Sequence, residues 1–150
     1  MTPQDTFAAL EKYIDHQDKF DEKVSKQGVG WHLDHVFRAT IGTCQVLKKS
    51  NPNDYRWKFS FIRFAILTSN YIPRGKGRAP KITTSQEPIT KEALINQYQQ
   101  VMQHLSEIEG LHAHSNFQHP YFGLLNLKTT KKFLRTHTHH HLKIVRDIVS

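Results

Sequence analysis

The amino-acid sequence predicts an all-α fold, a bundle of four or five helices, on three observations. Apolar residues recur at helical spacing in five segments. No segment sustains the apolar–polar alternation of a half-buried strand. Capping and breaker residues fall between the five stripes, where helices must start and stop. There is no internal repeat, and a length of 150 residues suits one domain, 1–150, with a core of its own.

Each element has its own signal. Thr2-Pro3 reads as an N-cap followed by proline at the first helical position, and Phe7, Leu10, Tyr13, Ile14 and Phe20 continue as a stripe. "SKQGVG" breaks that pattern, and a second helix is expected over about 29–49. The turn cluster "SNPND" precedes a third, aromatic-rich helix near 55–70, carrying Tyr55, Trp57, Phe59, Phe61 and Phe64. A long irregular loop, "YIPRGKGRAPKITTSQEP", follows. Thr90 caps a fourth helix striped by Leu94, Tyr98, Val101, Leu105 and Ile108, with Gly110 as its stop. "LHAHSNFQHPYFG" is expected to be a second long loop, and the last helix to start near Asn126 and run to the end. Both loops exceed the usual connection length, which points to a site they serve.

Composition narrows the setting. The net charge of +8 and a pI near 9.7 suit an acidic substrate or partner. Cys44 is the single cysteine, so no disulfide closes within the chain, and a reduced, cytoplasmic location is expected. The start "MTPQDTFAAL" lacks the build of a signal peptide. The most apolar run, "FSFIRFAIL", is short and interrupted by Arg63, so no membrane partner is expected.

The chemistry lies in the histidines. Four of the five residues 137–141 are histidine, but Thr138 interrupts the run and an amphipathic segment follows, unlike an expression tag. At 100° per residue, Leu134, Ile144, Val145 and Ile148 define an apolar face with His137 and His141 in its middle. His140 falls at the edge beside Phe133. His139 falls with Arg135, Lys143 and Arg146 on the wet side and is expected to be exposed. His137 and His141 are i and i+4, the spacing by which two imidazoles on one helix share a metal. Two polar rings at the centre of an apolar stripe each need a partner. A third ligand must then come from another helix, and "GWHLDHVFRAT" offers His32 and His35. His32 falls among Val36, Ala39 and Thr43, and His35 beside the small residues Ala39 and Gly42. The helical wheel does not choose between them. Asp34 is placed outward and set aside as a ligand.

The motifs "GWHLDH", "IPRGKGRAPK", "HPYFG" and "FLRTHTHHHLKI" together resemble an uncharacterised bacterial branch of the DinB/YfiT-like superfamily, over most of the chain. The resemblance implies a DinB-like four-helix bundle with an additional helix and two long loops. It implies a divalent metal held by one histidine of the second helix and an i,i+4 pair of the last, which by position are His35, His137 and His141. It also implies metal-dependent chemistry on a small molecule, of transferase or hydrolase type, since relatives include thiol S-transferases and a metal-dependent isomerase. Three imidazoles leave coordination positions open, as catalytic sites do, and suit Zn²⁺, Ni²⁺ or Fe²⁺ alike. His140 and His119 are candidates for supporting or proton-transfer roles. A thiol or an anion is the expected substrate type, and a homodimer remains open.

The basic stretch 73–81 carries four cations among glycines and prolines. It suits an anionic substrate or a cover over the metal pocket, and lacks the Gly-Lys-Ser/Thr of a phosphate-cradling loop. The alternative function is a basic helical module binding nucleic acid or other anions, with a non-catalytic histidine cluster. No recognition motif supports that alternative, and the aromatics are assigned to helix stripes rather than to an exposed stacking surface.

Overall fold

A computed structural model describes all 150 residues. The chain is mainly helical, with one small two-stranded sheet. α1 (Pro3–Glu11) starts as expected: Thr2 Oγ1 accepts from the Asp5 N–H at 3.2 Å, and the Asp5 carboxylate accepts from the Thr2 N–H at 2.7 Å. The helix ends earlier than its stripe suggests. The chain turns through a 3₁₀ turn at Ile14–His16 to meet the next helix, and Phe20 is left 58% exposed.

α2 (Val29–Lys49) begins at Gly28, which has no side chain to cap it. The N–H groups of Val29 and Gly30 donate instead to the carbonyls of Lys19 at 2.9 Å and Gln17 at 3.0 Å. A Cβ on Gly30 would lie 2.8 Å from the Gln17 carbonyl oxygen, so this close approach requires glycine. It fixes the first turns of α2, which carry His32 and His35.

α3 (Phe61–Ser69) corrects the expected helix over 55–70. Ser60 Oγ accepts from the Arg63 N–H at 3.3 Å and sets the start, while the preceding segment is non-helical. Tyr55, Trp57, Phe59 and Phe61 stand two apart, a period that suits extended chain rather than helix. Asn70 ends α3 with φ 54°, a left-handed conformation asparagine tolerates, and accepts from Thr136 Oγ1 at 2.7 Å.

α4 (Lys91–Glu107) starts at its Thr90 cap, and a 3₁₀ turn at Ile108–Gly110 closes it. The segment expected to be a second long loop holds a hairpin instead. β1 (Asn116–His119) pairs antiparallel with β2 (Gly123–Asn126), with His119 opposite Gly123. Strands of four residues are too short to show an alternation. Asn126 then caps α5 (Leu127–Val149), its side chain accepting from the Thr129 N–H at 2.9 Å.

α2 packs against α4 and α5, and α1 against the same two helices, around one cluster of 23 buried hydrophobic residues. α3 lies against α5 outside this arrangement and buries only Leu67. No helix is long and apolar enough to cross a membrane.

Candidate metal centre

The apolar stripe of α5 faces α2, and the histidines of both helices meet at that seam. One ring nitrogen from each of His35, His137 and His141 lies within 4.8 Å of the other two. Nε2 of His35 and Nε2 of His137 are 3.2 Å apart. Two nitrogens sharing a tetrahedral zinc at the usual bond length stand about 3.3 Å apart. The His141 ring is 4.9 Å from His35 and 4.7 Å from His137, centroid to centroid.

Hydrogen bonds around the trio orient its rings. His35 Nδ1 faces the Thr83 carbonyl at 3.2 Å and Thr83 Oγ1 at 3.1 Å. Thr83 Oγ1 spends its proton on the Pro80 carbonyl at 2.7 Å, so both oxygens are acceptors and Nδ1 carries the hydrogen. Nε2 of His35 is then a bare lone pair aimed at His137. His137 Nδ1 is sealed from solvent with no hydrogen-bond partner. The His35 Nε2 lone pair meets His137 Nε2 at 3.2 Å, a separation that a shared proton or a shared cation satisfies, and three neutral imidazoles are a donor set that fits a divalent ion.

His32 stands behind His141. Its Nδ1 is 2.9 Å from Nδ1 of His141, and its Nε2 is 3.0 Å from Ser25 Oγ. It therefore supports the trio through His141, whereas His35 lies within it. Trp31 stacks on the His35 ring with centroids 5.0 Å apart and planes 13° from parallel.

Protonation favours ligation. Burial pushes the His137 and His141 imidazoles well below their ordinary pKa, and neighbouring histidines add to the effect. Burial also lowers His35, against the opposing pull of the Thr83 carbonyl and the Asp34 carboxylate. The rings are thus neutral near pH 7, with lone pairs available to a metal. Burial brings His32 down to about 4.

Three placements from the sequence are corrected. Asp34 does not turn outward. Its carboxylate is buried, pairs with Arg38 Nε at 3.0 Å, and accepts from the Ser85 N–H at 3.0 Å and Gln97 Nε2 at 2.9 Å. The neighbouring loop and α4 supply partners that a helical wheel does not contain. His139 is only partly exposed, because 70–74 folds back along α5 and shields it. The aromatics at 57, 59, 61 and 64 do form an exposed surface, since α3 starts late and lies outside the main helices.

The two supporting histidines differ. The His140 ring stands edge-on to His141 with centroids 5.0 Å apart. It borders a cleft of about 590 Å³ with His139, Arg74, Lys76, Lys143 and Asp147. His119 accepts from the N–H groups of Tyr121 and Phe122 through Nδ1, at 3.0 and 3.1 Å, and closes the hairpin turn. It reaches the trio only through Phe133, which stacks on His137. Cys44 is buried and its thiol is pushed up to about 12, so it supplies no thiolate.

The long loop after α3 meets both sides of the site. Arg74 pairs with Asp147 of α5 at 2.7 Å, while Thr83 and Ser85 bond His35 and Asp34 of α2. No protein-family model, curated protein or solved structure matches the chain.

Proposed function

We propose that this chain is a DinB-like four-helix-bundle metalloprotein in which His35, His137 and His141 hold one divalent ion, and that it is an enzyme acting on a small molecule. The observation that carries this reading is the approach of three neutral, largely buried imidazoles to one point, with His35 turned by Thr83 so that Nε2 faces the others. An ion held by three imidazoles keeps open positions and lowers the pKa of a bound water or thiol.

The chain's own groups do the rest. His32 holds the His141 ring, and Trp31 covers one face of His35. Arg74, Lys76 and Lys143 outnumber Asp147 in the cleft beside His140, which favours a substrate with an anionic group. His140 stands between that cleft and His141, placed to exchange a proton with a bound substrate.

Metal analysis of untagged protein purified without a metal column tests the reading. The expected result is about one divalent ion per chain, with zinc, nickel and iron distinguished directly. Protein that carries no metal and takes up none in a calorimetric titration overturns it.

A further inference from the structure

We propose that Asp34 is a positioning residue for the histidine trio: its carboxylate pins the loop after α3 to α2, so that Thr83 keeps the hydrogen of His35 on Nδ1 and leaves Nε2 free. The consequence for metal binding rests on the reading of the trio as a ligand set, whereas the hydrogen-bond chain itself does not. The loop has little else to hold it beside the trio. No residue from 71 to 90 is buried, and Ile82 is 86% exposed. Arg74, paired with Asp147, and Ile89, packed against the core, hold its two ends. Between them, the hydrogen bonds that leave the segment are those of Thr83 with His35 and of Ser85 with Asp34. The others are local, such as Thr83 N–H to the Pro80 carbonyl at 2.9 Å and Thr84 N–H to the Lys81 carbonyl at 3.1 Å.

The backbone of the loop matches α2 at two neighbouring points. Thr84 is extended, with φ −130° and ψ 144°, so the Thr83 carbonyl and the Ser85 N–H point to the same side. The loop edge thus offers an acceptor and a donor, and α2 answers with consecutive residues. His35 Nδ1–H donates to the Thr83 carbonyl at 3.2 Å, and Asp34 Oδ2 accepts from the Ser85 N–H at 3.0 Å. The register that makes one bond makes the other. The bond to Asp34 is the stronger anchor, since an ionised acceptor makes a hydrogen bond roughly twice as strong as a neutral one. The carboxylate is itself fixed: Arg38 Nε lies 3.0 Å from both oxygens, and Gln97 Nε2 of α4 lies 2.9 Å from Oδ1. A neutral imidazole carries its hydrogen on either nitrogen, and the partner of one nitrogen decides which. Both Thr83 oxygens accept, so they select Nδ1–H. A loop released from Asp34 gives Nδ1 to water, which serves either tautomer. A hydrogen on Nε2 then faces His137 and occupies the lone pair that a metal needs.

The test reads the His35 tautomer in metal-free protein from the nitrogen shifts of its ring in long-range proton–nitrogen NMR spectra, with His35→Gln to identify its signals. The unsubstituted protein should carry the hydrogen on Nδ1. Asp34→Ala should move His35 to a mixture of both tautomers while the helical circular dichroism signal stays unchanged. Ser85→Pro removes the donor from the loop side without touching α2 and should do the same, which keeps the test decisive if Asp34→Ala does not fold. Asp34→Asn keeps an oxygen for the Ser85 N–H, and its amide N–H can donate to Gln97 Oε1, which is buried without a partner, so the Nδ1–H tautomer should return. An Asp34 that served stability alone would leave the tautomer as it is in every variant. Zinc affinity by calorimetry should fall about 10- to 100-fold in Asp34→Ala and Ser85→Pro, the range for a group that acts on a ligand from outside, and recover in Asp34→Asn. An unchanged His35 tautomer in Ser85→Pro overturns the proposal, as does a tautomer lost as fully in Asp34→Asn as in Asp34→Ala. Unsubstituted protein that takes up no zinc, yet shows these tautomer shifts, overturns the metal reading and leaves the positioning role standing.

Discussion

Along the α2–α5 seam, His32, Asp34, His35 and His141 occupy buried positions. On the outside of α3, Phe61, Ile62 and Phe64 stand in water. The two regions depart from the usual partition in opposite directions, with different consequences. A buried polar group must be hydrogen-bonded or ligated. Asp34 meets that condition with three partners, and His35 with Thr83, while His137 Nδ1 is left with none. An exposed apolar face carries no such obligation, and costs free energy only in proportion to the area that water meets. The seam thus holds a donor set that could take a cation, whereas the α3 face meets water.

The largest effect should come from the seam. His137→Ala or His141→Ala removes a nitrogen of the proposed ligand set, and calorimetric titration with Zn²⁺ should show affinity falling by more than about 100-fold, beyond the usual loss for an outer partner. His32→Ala leaves the trio in place and frees the His141 ring, so the loss should be about 10- to 100-fold in affinity. Equal losses for His32→Ala and His35→Ala would erase the distinction drawn between them.

Acid should act on the seam before it acts on α3. An unfolded chain's imidazoles take up protons near pH 6.5, whereas His32, His119 and His140 in the folded chain resist until about 4, and His35, His137 and His141 are also depressed. Between those values the unfolded chain binds more protons, so stability is present above about 6.5 and is lost as pH falls toward 4. Thermal melting of metal-free protein across this range should show the fall. Added Zn²⁺ should move it to lower pH, because metal and protons compete for the same lone pairs. A melting temperature independent of pH over that interval would contradict the burial of these rings.

Two phenylalanines sharpen the contrast in stability. Phe37 is fully buried, and Phe37→Ala should cost about 3–5 kcal/mol in denaturant unfolding. Phe61 is 71% exposed, and Phe61→Ala should stay within about 0.5 kcal/mol under monomeric conditions. The smallest effect belongs to His139→Ala. Its ring is outside the trio, so zinc affinity should change by no more than about twofold, below the usual range for supporting residues.

Helix starts were the most legible part of the fold. Thr2, Thr90 and Asn126 each carry a capping oxygen, and each begins the helix expected of it. The central placement of His137 and His141 was also readable, because a 23-residue helix with a long apolar stripe leaves little freedom in which face turns inward. The late start of α3 had a visible signal in the two-residue spacing from Tyr55 to Phe61, but aromatic content obscured it. The hairpin had almost none, since each strand pairs through four residues.

The sequence by itself determined that the chain is chiefly helical and that two histidines of the last helix meet its apolar face, because cap chemistry and 3.6-residue periodicity are local properties. Tertiary structure alone decided that His35 rather than His32 joins them at one point, with His32 against the far side of His141. It also buried Asp34, shielded His139 and left α3 facing solvent. These outcomes depend on where segments distant in sequence come to rest: Thr83 and Ser85 against α2, 70–74 along α5, and α3 outside the main helices. A helical wheel specifies the direction of a side chain, whereas its burial and its partners depend on the neighbouring segment that reaches it.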